Sequence, residues 1–260
     1  MLEGSAISRP VFTRRARLRD PRGLLVKVSA MPLLGSLEWE ALRLSLEIAL
    51  RSVLVSLPPA TLAAWLLTRV RFPGRSLFDA VVHLPLVLPP VVVGYLLLLG
   101  FGVRGPIGAW LDRDFGIRLV FTREGAALAT AVMSFPLMVR AIRLSLEHVD
   151  PGLEAAARTL GAGPLDRFAT ITLPLIAPGL LAGAVTAFAA GLGEFGAVIT
   201  FASNIPGETR TLPLALYTAL QQPGGDAAAA RLAAISFALG LAGLLASESL
   251  ARSVRARMGR

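Results

Sequence analysis

The side chains that most often carry chemistry are scarce in this chain. There is no cysteine, which removes thiolate nucleophiles, disulfides and cysteine metal sites. Two histidines, His83 and His148, are too few for a His-rich metal or proton-relay site. The one lysine, Lys27, sits in GLLVKVSAM, without the glycine-rich turn of a P-loop, so no ATPase of that type is encoded here. A membrane-embedded enzyme needs acids, histidines or a nucleophile gathered at one depth, and the sequence offers no such cluster. What remains is sparse. Glu194 is an acid inside a long apolar run (GLGEFG), Glu47 and Arg51 form an i, i+4 pair, and hydroxyls recur at Thr130, Ser134, Thr186 and Thr200.

These residues suit a passage or a gate better than catalysis. A carboxylate within a membrane is costly and is usually functional or paired. Glu194 repels anions, so it is not an anion ligand. With its flanking glycines it reads as a gate or helix-packing element, capping a helix or pairing across an interface; the alternative is a glutamate near the membrane surface. His83 reads as a hydrogen-bonded structural histidine, with a proton carrier as the alternative. Arg51 reads as the partner of Glu47, with anion attraction as the minority role. No fixed cation lies mid-span. Any oxyanion site would have to use the hydroxyls and backbone amides freed near Pro89 and Gly94, and would be weak and transient.

The elements that must hold these residues are membrane helices. Of 260 residues 54% are hydrophobic, and only 17% are charged against about 25% in soluble domains. Mean hydropathy is +0.65. A bilayer span takes about 20 apolar residues. Five stretches qualify: 44–68, 78–101, 123–143, 173–201 and 228–250. Prolines fall inside them, most densely in HLPLVLPPVVVGY, which predicts a broken or kinked helix at a functional interface.

Loop charge sets the orientation. Arginines at 69, 71 and 75, at 140, 143, 158 and 167, and at 252, 255, 257 and 260 place three regions on the cytoplasmic side. The 102–122 and 203–226 loops face outward. Five spans then put the N-terminus outside, although residues 9–27 carry six arginines and Lys27. A start at Met31 removes the conflict. It would also remove Glu3 and Asp20 and lower the net charge from +9 to about +4. The basicity is thus no argument for nucleic acid. The expected organisation is a basic tail over 1–40, a transmembrane domain over 41–251 and a basic cytoplasmic tail over 252–260.

The longest cytoplasmic loop reads EHVDPGLEAAARTLGAGPLDRFATITLPLIAPG. Asp150 suits an N-cap and Pro151 a first helical position, while Gly161, Ala162 and Gly163 break the helix and Pro164 opens another. Two short helices joined by a glycine turn are expected, presenting Ala155, Ala156 and Ala157; a solvated connector is the alternative. Ala156, Gly161, Ile171, Leu173 and Pro174 resemble the EAA loop of ABC-importer permeases. One departure stands out: the family's glutamate position falls on Ala155, and Glu154 lies one residue earlier.

The resemblance runs from about Glu38 to the C-terminus. FPGRSLFDAVVHLPLVLPPVVVGYLLLL, MSFPLMVRAIRLSLEHVD and GEFGAVITFASNIPGETRTLPLALY are similar to molybdate ABC-transporter permeases; sulfate and thiosulfate permeases are the nearest alternative. The resemblance implies an all-α integral membrane protein of the type I importer class, in the bacterial inner membrane, working as a homodimer. It implies two separate ATP-binding subunits, which hold the Mg-ATP, and a periplasmic molybdate-binding protein. The chain itself is expected to hold no cofactor and to be a transport subunit rather than an enzyme. The resemblance makes 152–168 the coupling loop that docks into the ATPase. Pro89, Pro90, Gly94, Gly193, Glu194 and Gly196 are the gate or helix-interface candidates, and the 203–217 loop, with Glu208 and Arg210, suits docking of the binding protein.

Overall fold

A computed structural model describes residues 35–257; the basic tail up to Leu34 and the Met31 start lie outside the described residues. The described chain is helical: α1 (Ser36–Arg69), α2 (Arg75–His83), α3 (Pro90–Phe101), α4 (Pro106–Phe115), α5 (Arg123–Glu147), α6 (Pro151–Thr159), α7 (Pro164–Arg167), α8 (Leu173–Leu192), α9 (Gly196–Phe201), α10 (Leu212–Gln221) and α11 (Asp226–Arg257). Four helical stretches are long and apolar enough to cross a membrane, and a fifth is added if the bent pair α2–α3 counts as one.

The central helix is α5, and its sequence explains why. Gly125, Ala126, Ala129, Thr130 and Ser134 are buried, and so are Met138, Val139 and Ile142. Small side chains let neighbouring backbones approach, which replaces the hydrophobic drive that is absent between helices in lipid. The α1 helix presents a matching stripe of Ala49, Ser52, Ser56, Ala60 and Ala64, all buried. The Ser52 and Ser56 hydroxyls donate to the carbonyls of Ala49 and Ser52 in their own helix, so neither is an unpaired buried donor. Pro58 and Pro59 sit inside α1 and take two N–H groups out of its ladder.

Three of the expected spans differ in detail. The first begins at Ser36, eight residues before the apolar run, because Glu38 and Arg231 pair there and make a charged turn tolerable. The second is not one helix. Leu84–Leu86 is a 3-10 turn, Pro89 caps α3, and the two halves bend by 115°. Pro89 and Pro90 together cannot continue the ladder. The fourth starts at Pro164 and ends at Leu192 rather than covering 173–201. Asp166 and Arg167 conceal its start from a hydropathy reading. Gly193, Glu194 and Phe195 separate α8 from α9. Between α7 and α8 a π-turn, Phe168–Thr172, widens the helix just before Pro174, which has no N–H to donate.

The two ends of the bundle are distinct. At one end Arg69 donates to the Val149 carbonyl at 3.1 Å, joining the 69–76 and 140–172 regions. At the other, Arg123 donates to the Gly207 carbonyl at 2.6 Å, joining the start of α5 to the 203–211 loop.

Candidate transport pathway and coupling loop

The loop after α5 folds as two short helices. The Asp150 carboxylate accepts the Gly152 N–H at 2.8 Å and opens α6. Gly161 has φ +88°, a left-handed conformation that favours glycine, and it turns the chain toward α7. Ala155 and Ala156 are exposed and Ala157 is half-buried. Around them Leu153, Leu160 and Leu165 stand out of the surface, Leu160 at 88% and Leu165 at 83% exposure. Ile171 is half-buried on the π-turn, and Leu173 and Pro174 are exposed at the foot of α8.

Glu154 does not share the exposed face. Its Oε1 accepts the Thr172 hydroxyl at 2.9 Å and lies 3.5 Å from Nη2 of Arg69. Beside it a cavity of about 710 Å³ opens between α1 and the foot of α8, lined by Leu57, Trp65, Arg167 and Phe168 among others.

The gate candidates come from two distant segments, and the structure packs three of them, Pro90, Gly94 and Gly196, at one contact. The half-helix α3 lies against α9. A Cβ on Gly196 would sit 2.7 Å from Pro90 Cβ, and one on Gly94 would sit 2.7 Å from both the Ala197 carbonyl oxygen and Thr200 Cβ. Two glycines therefore permit the backbone approach. Glu194 accepts the Ala197 N–H at 2.9 Å and caps α9. Pro89 caps α3 next to this contact, whereas Gly193 is exposed, and a Cβ there would approach only the Ala190 carbonyl oxygen among the described residues.

The hydroxyls divide. Thr130 and Ser134 are buried and donate to the carbonyls of Ala126 and Thr130, so they serve their own helix rather than a passage. The Thr200 hydroxyl likewise donates to the Gly196 carbonyl, at 2.8 Å, although its side chain borders the α3–α9 contact. Thr186 is half-buried on α8.

Ion pairs tie the elements together at both ends, and most were not visible as pairs in the sequence. Arg51 reaches Glu47 at 2.6 Å but also Glu124 at 2.7 Å on α5. Arg123 approaches Glu208 at 3.3 Å and Glu47 at 3.8 Å. Arg210 donates to Asn204, which donates to Thr218, so the 203–211 loop is fixed onto α10. At the other end Arg143 meets Asp79 at 3.3 Å, and His83 Nδ1 lies 2.9 Å from the Asp79 carbonyl oxygen.

Comparison with known proteins agrees with this architecture. The profile of the family described as "Binding-protein-dependent transport system inner membrane component" matches residues 57–256. The molybdenum transport system permease protein ModB of Escherichia coli (strain K12) is 62% identical over 223 residues, which cover 86% of this chain and 97% of that protein. The sulfate transport system permease protein CysT of the same organism is 42% identical over 181 residues, covering 68% of this chain and 65% of that one. In fold, the chain resembles a bacterial alginate ABC transporter solved with an alginate pentasaccharide-bound periplasmic protein. The TM-score is 0.66 at 19% identity, over 88% of this chain and 82% of that one. The helical architecture, its apolar spans and these matches show that the chain belongs to the family of inner membrane components of binding-protein-dependent transport systems.

Proposed function

We propose that this chain is the transmembrane permease subunit of an ATP-driven importer that carries molybdate, with tungstate as a co-substrate, into the bacterial cell. One observation carries the choice of substrate: 62% identity to a molybdenum permease across nearly its whole length, against 42% to a sulfate permease over a shorter stretch. Sulfate or thiosulfate transport is the alternative.

In this reading the chain works as a homodimer. Two ATP-binding subunits dock on the cytoplasmic side against the exposed Ala155–Ala156 face and Leu160, and they hold all of the Mg-ATP. The loaded periplasmic binding protein docks at the end bearing the 203–217 loop, with Glu208 and Arg210. ATP-driven closure of the ATPases moves the 152–168 loops, and the helices rock between inward- and outward-facing states. The α3–α9 contact, where two broken helices meet, is the element placed to open and close. No covalent step occurs in this chain, and anion selection rests mainly with the binding protein. The C-terminus lies in the cytoplasm and the start of α1 faces the periplasm.

The test is complementation. In bacteria lacking their own molybdate permease, expression of this chain with its ATPase and binding protein restores growth that depends on a molybdoenzyme at low external molybdate. Growth that stays dependent on high molybdate contradicts the reading.

A further inference from the structure

The displaced acid of the loop has a different task from the face around it. Successive residues of a helix point about 100° apart, so an acid at 154 rather than 155 leaves the exposed face and turns toward the bundle. Three segments converge on it. Arg69 is the last residue of α1, Val149 lies in the turn two residues beyond the end of α5, and Thr172 ends the π-turn at the foot of α8. The Glu154 carboxylate accepts the Thr172 hydroxyl at 2.9 Å and lies 3.5 Å from Arg69 Nη2. The same Arg69 nitrogen donates to the Val149 carbonyl at 3.1 Å. Both side chains are largely withdrawn from solvent, Arg69 at 18% and Glu154 at 27% exposure. Arg69 Nε is buried without a partner among the described residues, so the described bonds of this guanidinium all go to the loop.

We infer that Arg69 and Glu154 form a clamp that makes α6 move as one body with the end of α1 and the foot of α8. They are positioning residues. Without the clamp, α6, which buries none of its residues, is tied chiefly through its two chain ends. A push on its exposed face would then tilt α6 instead of displacing the spans. With the clamp, the push reaches two spans at once, through a charge-assisted bond at the point where the π-turn interrupts the regular helix. The transport consequence rests on the permease reading above; the clamp itself does not.

The test uses the whole transporter in lipid nanodiscs and proteoliposomes, with two readouts. The first is hydrogen exchange of the α6 amides, which needs no substrate. Arg69→Met and Glu154→Ala raise exchange about tenfold, Arg69→Lys stays near wild type, and Glu154→Gln is intermediate because its amide oxygen still accepts from Thr172. The second is molybdate imported per ATP hydrolysed. It falls about fivefold in Arg69→Met and Glu154→Ala, and the double variant Arg69→Met/Glu154→Ala falls no further than the worse single one. Unchanged α6 exchange in both single variants overturns the clamp. Raised exchange with an unchanged import-to-hydrolysis ratio overturns its role in transmission. If α6 exchange responds as stated but the wild-type transporter imports no molybdate, the clamp stands and the substrate reading fails.

Discussion

Gly94 and Ala197 meet so closely that no side chain fits between them: a Cβ on Gly94 would lie 2.7 Å from the Ala197 carbonyl oxygen and 3.0 Å from its Cα. Two of the atoms it meets are backbone and the third, Thr200 Cβ at 2.7 Å, is fixed to it, so α3 or α9 must move to admit it. Gly94→Ala is therefore expected to cost about 1–3 kcal/mol through overpacking and to lower transport. Gly100→Ala, six residues on, meets nothing within 4 Å and serves as the control. Thermal unfolding in detergent and uptake in vesicles check both.

Glu194 separates charge from capping. Its carboxylate oxygen accepts the Ala197 N–H, and a glutamine oxygen can do the same. Glu194→Gln should stay near wild-type stability, while Glu194→Ala loses about 1 kcal/mol with the cap. If uptake falls in Glu194→Gln at unchanged stability, the charge itself takes part in gating. Unaltered uptake reduces the residue to a helix cap.

Arg123 gathers the opposite end of the bundle. It donates to the Gly207 carbonyl and approaches Glu208 and Glu47. Arg123→Ala leaves partly buried acceptors unpaired, at a cost of about 1–3 kcal/mol. Faster hydrogen exchange over residues 203–211 and weaker capture of the binding protein are expected, with α6 unaffected. A wild-type exchange pattern contradicts this.

Leu160 and Leu165 are almost fully exposed on the loop, so their loss should not weaken the permease fold. The double variant Leu160→Ser/Leu165→Ser is expected to unfold at the wild-type temperature yet to co-purify with less of the ATPase. Full retention of the ATPase would remove these side chains from the docking surface.

Much of this arrangement can be read from residue order. Apolar runs located the spans, Asp150–Pro151 and the glycines at 161 and 163 marked the two loop helices, and paired prolines foretold the break before α3. A hydropathy average runs across the break at 193–195, because one charge, Glu194, between two long apolar runs lowers it too little to divide them. It also began the first and fourth spans late, since Glu38 and Asp166 look like loop residues until their helices are seen. The pairs Arg69–Glu154, Arg143–Asp79 and Arg123–Glu208 join residues far apart in the chain, and only packing brings them together. Thr130 and Ser134 suited a polar passage by type, but each hydroxyl bonds the carbonyl four residues back in its own helix.

The claim that this chain passes molybdate is tested most directly in proteoliposomes holding the permease, its ATPase and the binding protein. Labelled molybdate should enter only with ATP, tungstate should compete, and a large excess of sulfate should leave uptake unchanged. Suppression by sulfate as complete as by unlabelled molybdate, or equal uptake without this chain, would contradict the account.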